Sequence, residues 1–557
     1  MAGPGPALSP TPEEEVKLYT IHISSKYLNL TRQKLELTRL PHDVPQPDKT
    51  SWWEPKSTIE PLVDYWLEQY SWRDQEAQLN ASVPQFRTAI RTDGAEAPVR
   101  VHFIHSRSTQ ADAVPLLLIP PFPFTNLSMT HLIRPFTAPD DAANGTSFHL
   151  VIPSLPGLGF SDAISSNQRM VPLICEMLDA LMKRLGYRIY LATNTISSPN
   201  SVADIDFRII NHIAYAYPDS CVGAHLLSPP CQAPTWQAAP LEWVKWKMMT
   251  SLRTPGLGYT RDDIAALRKH RPPRQGKQRG LSLVPGLDSK AFESNMLAYA
   301  LCDSPTGLLL FVIMVLRLLG PKHDFSSGDI IQLAELTWLP GPEGTMRLWA
   351  HCSSERDELP RPSRKPKVGI TAFSGSTDGE TGTQQQTCSA ASSPDVHTCL
   401  AWAKTTYNVV SWQKAPGSSG LLAWERPEVL VAGVRALAKV VFPKDDSRRQ
   451  AAKEAAKKPR ITSLERVVLG ENESARAEGS GTTIRGDAPP TLASDDDVER
   501  AQTKQGTSTD AKGAKRPPTP LFPLAWGQRS EAVRESRHAS RSSSGGSPTT
   551  MKPLTSG

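Results

Sequence analysis

Apolar residues recur at element-length spacing from about residue 20 to residue 442 and then become sparse. Beyond residue 443 the chain is Ser, Thr, Pro, Gly, Arg, Lys and Asp with few aromatics, a composition that buries too little surface to offset the entropy of ordering. One folded region followed by a disordered tail is the expectation. Tyr19-Thr20-Ile21-His22-Ile23 alternates with period two and reads as an edge strand. Residues 26–38 carry apolar positions at helical spacing, and another helix starts near residue 57 with Leu62, Tyr65 and Trp66 on one face. Short apolar runs at 99–105, 113–119, 147–153, 187–192, within 217–230, at 367–373 and at 407–412 read as strands. Helical patterns at 170–185, 207–217 and 421–441 fall between or after them. Strands alternating with helices predict a mainly parallel sheet covered on both faces. Residues 374–395 show no periodicity, and a loop of that length in a compact domain is either functional or disordered; its composition favours disorder.

Composition narrows the function classes. The 557-residue chain is 39% apolar, enough for a large core where the apolar runs concentrate. A net charge of +6 spread over interleaved acids and bases leaves no stripe for nucleic acid. The run Lys457-Lys458-Pro459-Arg460 reads as solvated chain in preference to a nuclear-import signal. Seven scattered cysteines without metal-type spacing suit reduced thiols in a cytoplasmic setting. The amino terminus has no apolar leader, so the sequons at Asn29, Asn80, Asn126, Asn144 and Asn472 are expected to stay unmodified. Residues 307–320 are the most apolar stretch but too short to span a bilayer, and Arg317 interrupts them; a buried helix is expected, no transmembrane segment, and any membrane association peripheral. There is no Gly-x-Ser-x-Gly, phosphate loop, His-Glu-x-x-His or CxxC, and neither a cofactor nor a metal is expected.

Three stretches carry a resemblance. "LELTRLPHDVPQPDKTSWWEP", "LVDYWLEQYSWRDQEAQLNASVPQFRTAI" and "VRVHFIHSRS" together resemble the amino-terminal domain of microsomal-type epoxide hydrolases, and Pro153-Ser154-Leu155-Pro156-Gly157-Leu158-Gly159-Phe160-Ser161 looks like part of an α/β-hydrolase. The chain is thus identified as a divergent, fungal-like member. The resemblance implies an α/β-hydrolase fold with a mainly parallel sheet, a helical lid, an amino-terminal bracing segment and a disordered carboxyl-terminal tail. The implied divisions are a disordered 1–16, a bracing segment 17–98, a first core part 99–231, a lid 232–365 rich in Trp, Leu and Met, a second core part 366–442 and a tail 443–557.

The same resemblance says where catalytic groups should stand. An Asp on a sharp strand-to-helix turn attacks an epoxide carbon, a His oriented by an acid activates water against the resulting ester, and lid Tyr hydroxyls protonate the opening oxygen. Counted back from Tyr217-Pro218, the nucleophile position is Asp204; counted forward from the strand it falls near Thr195, because "TISSPNSV" lengthens the turn. Asp204 is therefore either the nucleophile or an acid capping the following helix with Ser201. The His position, aligned on Glu425-Arg426-Pro427-Glu428, is Gly420. The acid position is Ser376, with Asp378 and Glu380 close behind, and His397 reads as a surface residue. One lid tyrosine is replaced by Trp349 and Tyr299 is the nearest to the other; the His-Gly-x-Pro motif reads Pro120-Pro121-Phe122-Pro123, whose prolines remove backbone donors. Two readings follow: a family enzyme turning an apolar epoxide into a diol through an Asp ester with a degraded active site, or an inactive pseudoenzyme that binds an apolar ligand or a protein partner.

Overall fold

The computed structural model describes residues 14–42, 54–139, 145–197, 204–231, 233–252, 254–269, 290–319, 323–354, 364–373, 398–417 and 419–443. The expected tail, the irregular loop 374–395 and most of the expected disordered amino terminus lie outside them.

The chain opens with β1 (Lys17–Leu18), α1 (Ser25–Glu36), α2 (Lys56–Glu68), α3 (Trp72–Ser82), β2 (Gln85–Ile90) and β3 (Val99–Ser106). The core follows as β4 (Val114–Ile119), a short 3-10 turn (Asn126–Leu132), α4 (Ile133–Thr137), β5 (Phe148–Pro153), α5 (Met170–Arg184), β6 (Tyr190–Asn194), α6 (Ile205–Ala216) and β7 (Cys221–Leu227). An all-helical insertion then runs through α7 (Pro240–Leu252), α8 (Arg261–Lys269), α9 (Lys290–Asp303), α10 (Pro305–Leu318), α11 (Ser327–Trp338) and α12 (Glu343–Ser354). The core resumes with β8 (Lys367–Phe373), α13 (Leu400–Thr406), β9 (Asn408–Ala415), α14 (Leu422–Glu425) and α15 (Pro427–Val441).

The strands form one sheet in the order β1-β2-β3-β5-β4-β6-β7-β8-β9. Neighbours from β5 through β9 are parallel, while β1, β2 and β3 add an antiparallel edge. Every residue of β4, β5 and β6 is buried, as a sheet covered on both faces requires. Side chains alternate between two layers. Leu117, Ile119, Val151 and Ala192 pack with α5 and α6, whereas Leu116, Leu118, Leu150, Ile152 and Leu191 pack with α4 and α15. Each such fully buried Leu or Ile contributes about 1.5–3 kcal/mol.

Three expected elements are altered, each for a local reason. Residues 19–23 are extended but do not form the edge strand: the Asn80 side chain accepts from Ile21 N at 2.8 Å and donates to Ile21 O at 2.8 Å, and Glu76 accepts from Ile23 N. Side chains of α3 thus occupy the backbone groups that a partner strand would use. The strand expected at 187–192 begins at Tyr190, because Tyr187 N still closes the end of α5 on Met182 O around Gly186 at φ +90°. The helix expected over 421–441 breaks at Arg426, since Pro427 starts a new helix without a donor. β2 was not foreseen; its Gln85, Phe86, Thr88, Ala89 and Ile90 are all buried, so it lacks the apolar-polar alternation.

The amino-terminal segment grips the inserted helices. Trp66 Nε1 on α2 donates to Glu335 Oε1 on α11 at 2.8 Å, and Trp338 Nε1 on α11 donates to Thr31 Oγ1 on α1 at 2.8 Å. Arg317, which interrupts the most apolar helix, pairs with Glu54. Among the described residues no helix is long and apolar enough to cross a membrane, and no group of three or more His, Cys, Asp or Glu is arranged to hold a metal ion.

Candidate active site at the carboxyl edge of the sheet

In an open parallel sheet the loops leaving the carboxyl ends of the strands are where reacting groups converge. Five such loops are described in part. After β4, Pro120 to Phe124 is buried throughout, with a cis bond between Phe122 and Pro123. After β5, Ser154 Oγ donates to Leu158 O at 2.8 Å and Ser161 Oγ to Ser154 O at 2.9 Å, which ties the Pro-Gly-Leu-Gly stretch into a tight loop. Gly157 there has φ +79°, and a Cβ on Gly344 would stand 2.1 Å from its carbonyl oxygen. Only glycine at both positions lets the core loop touch the first turn of α12. That contact, with Arg208 Nη1 of α6 donating to Cys352 O at the far end of α12, holds one lid helix over the edge.

α12 brings Trp349 into the apolar layer that also holds Phe122, Phe124, Leu155, Leu158 and Ile196. It keeps an aromatic wall but has no hydroxyl. Tyr299 on α9 is 77% exposed, so it lies in no buried layer.

Asp204 stands between β6 and α6, at the N-cap of α6, but its side chain makes no capping hydrogen bond. Its backbone is left-handed, φ +54° and ψ +22°. A non-glycine residue held there at a strand-to-helix turn carries strain of about 1–3 kcal/mol, and that is the backbone state of a nucleophile elbow. Ser201, the other half of the capping box, lies outside the described residues. Thr195, the competing position, is buried and donates from Oγ1 to Ile119 O at 3.1 Å, a structural bond between neighbouring strands.

Gly420, where the resemblance expects the base, lies beside a carboxylate. Gly420 has φ +50°, and a Cβ built on it would lie 2.3 Å from Glu425 Oε2. Glu425 Oε1 accepts from Leu421 N at 3.3 Å, so the carboxylate folds back over the loop where an imidazole would begin. The adjoining Ser419 hydroxyl is hydrogen-bonded to Ser197 of the β6 loop, joining the two loops. An imidazole that sequence reasoning did not single out reaches this loop: His131, whose Nε2 donates to Ala423 O at 2.8 Å and whose ring stacks on Trp424 at 5.7 Å. Burial lowers its pKa, and its partner is a carbonyl oxygen. A histidine–carboxylate pair, His22 with Glu76 at 3.9 Å, lies in the amino-terminal segment. Ser376, Asp378, Glu380 and His397 lie outside the described residues.

Sheet order, the helical insertion above its carboxyl edge and the strained turn before α6 define an α/β-hydrolase. The model of the epoxide hydrolase N terminus matches residues 16–129. A Stigmatella aurantiaca protein, provisionally named an epoxide hydrolase, is 30% identical over 335 residues, 58% of this chain and 66% of that protein. Epoxide hydrolase 1 of Oryctolagus cuniculus is 21% identical over 78% of this chain and 90% of its own. The juvenile hormone epoxide hydrolase of the silkworm Bombyx mori superposes with a TM-score of 0.56 at 20% identity, covering 80% of this chain and 95% of that one. The Aspergillus niger epoxide hydrolase does so with a TM-score of 0.54 at 19% identity, covering 77% and 97%, and both show the same fold. This chain belongs to the epoxide hydrolase family. It spans between 34% and 66% of the length of the first curated relatives it matches.

Proposed function

We propose that this protein takes an apolar epoxide under the lid and alkylates Asp204 with it, but hydrolyses the resulting ester slowly. The observation that carries this reading is the left-handed backbone of Asp204 at the strand-to-helix turn that opens α6. In the proposed step one carboxylate oxygen attacks an epoxide carbon, the carbon–oxygen bond breaks, and water supplies the proton that the alkoxide needs. Trp349 offers only an indole N–H to that oxygen, so opening is slower than with a phenol. Release needs a base to deprotonate water, and Gly420 supplies none.

The test incubates the protein with a styrene-type epoxide and weighs the proteolytic peptide that carries Asp204. A mass gain of one epoxide, absent in Asp204→Asn, is expected. Neither adduct nor diol, with apolar ligand still bound, would replace this reading with that of a silent binding protein. That second reading draws on one specific observation: at the position expected of the base stands Gly420, with a left-handed backbone and the Glu425 carboxylate beside it.

A further inference from the structure

The inserted helices rest on two separate apolar cores. Leu301 of α9, Leu309 of α10, Ile331 of α11 and Trp349 of α12 lie buried in the layer that continues through the sheet to α5 and α6. Among the described residues, α7 and α8 add no buried side chain to that layer. Met249 of α7, Ile264 of α8 and Tyr259 between them meet Cys399, Ala401 and Trp402 at the start of α13 in a small core of their own, with Trp246 edge-on to Trp402 at 5.5 Å.

Polar links follow the same division. The bracing segment reaches the first group through Lys34 to Asp303 at the end of α9, through the Thr38 hydroxyl at 3.0 Å from that of Thr306 on α10, and through the Trp66 and Trp338 bonds at α11. α8 is linked to β9 by Asp262 and Lys414 at 3.9 Å, an ion pair between exposed side chains that adds little. In the turn between α7 and α8, Gly256 and Tyr259 exchange backbone bonds of 3.1 and 2.9 Å, which keeps these two helices together. On α7 and in that turn, Glu242 Oε2, Trp246 Nε1 and Tyr259 Oη are buried without a hydrogen-bond partner, so opening returns unpaired groups to water. Glu335 Oε2 and Tyr70 Oη at the brace are unpaired too, but there α11 is held by the continuous layer.

We infer that the lid opens in part: α7 and α8 leave α13 as one unit while α9 to α12 stay on the core. A segment with its own small core opens at lower free energy than elements of the main core, and lids are drawn from such segments. The opening rests on packing alone and stands whether or not Asp204 reacts. Its use as the way in for an apolar ligand rests on the function proposed above.

Hydrogen exchange of the full chain, read by peptide mass at neutral pH, tests the opening. Amides of α7 and α8 should exchange at least about tenfold faster than those of α10 and α11. Trp402→Ala removes the side chain on which both helices close and should speed α7 and α8 by at least about tenfold more, with α10 and α11 unchanged. Tyr259→Phe removes a buried unpaired hydroxyl and should slow them. Unchanged exchange in α10 and α11 shows that each variant is folded. Equal exchange in the two groups, a Trp402→Ala effect that spreads equally to α10 and α11, or no slowing in Tyr259→Phe overturns the inference. A styrene-type diol, which reacts no further, should slow α7 and α8 once it is held under the closed lid. Exchange that ignores the diol overturns the entry route, while the two variants still decide the opening.

Discussion

At the scale of single residues, two left-handed backbones, at Asp204 and at Gly420, bear on the proposed site. Asp204 holds φ +54° where glycine would be easier, so Asp204→Gly should stabilise the fold by about 1 kcal/mol while abolishing any adduct. Urea unfolding checks the first half; a destabilised glycine variant would show that the turn is not under strain. Gly420 is the opposite case. A side chain there meets both the left-handed backbone and the Glu425 carboxylate, so Gly420→His should cost about 2–3 kcal/mol and restore no diol formation. Recovery of turnover by that single change would mean that the carboxylate yields its place freely. The resemblance offered Asp204 or Thr195, Gly420 and Trp349 as the positions to inspect. It could not give the sign of φ at Asp204 or the bond that folds Glu425 back onto Leu421 N, because neither a backbone dihedral nor a side-chain bond in a turn leaves a period in the sequence.

At the scale of elements, the amino-terminal segment and the lid are held by buried polar groups. Glu335 of α11 is buried beside Trp66 of α2, and desolvation raises its pKa to about 8 despite the hydrogen bond that Trp66 donates. The sign follows from linkage. A raised folded-state pKa favours the folded protein while the group is protonated, so this contribution is full below the ordinary 4.5 and is lost as pH rises toward 8. The loss amounts to at most about 5 kcal/mol. Glu335→Gln should therefore raise the melting temperature at pH 8 and leave it nearly unchanged at pH 4.5; equal effects at both would refute the assignment. In this region the helices α1, α2 and α10 were legible from apolar spacing, whereas the buried strand β2 was not. The pairing of residues 19–23 with Asn80 and Glu76 was not, because it depends on side chains brought in by a helix more than fifty residues away.

At the scale of the molecule, the parallel sheet sets both stability and function. Its alternating layers were readable as strand and helix periods, so fold class followed from sequence, whereas the turn before α6 and the loop after β9 carry no period. The sheet also encloses imidazoles. His225 on β7 sits between the Thr193 hydroxyl at 3.0 Å and the Thr371 hydroxyl at 2.9 Å, on the strands at either side. Burial pushes His102, His105 and His225 each down to about 3. Their unfolded forms take up a proton below about 6.5 that the folded protein refuses until near 3, so stability should fall steadily as pH drops between those values. Melting followed from pH 7 to pH 4 tests this, and a flat profile would contradict it.

The central claim is that the elbow survives while water activation does not. A rapid-quench time course with a styrene-type epoxide at neutral pH tests it most directly, following ester on Asp204 and free diol in the same samples. The account predicts ester accumulating toward one per chain, with diol release slower by at least about a hundredfold, the usual worth of a general base. Sustained diol formation with no ester build-up, or no ester at all, would contradict it.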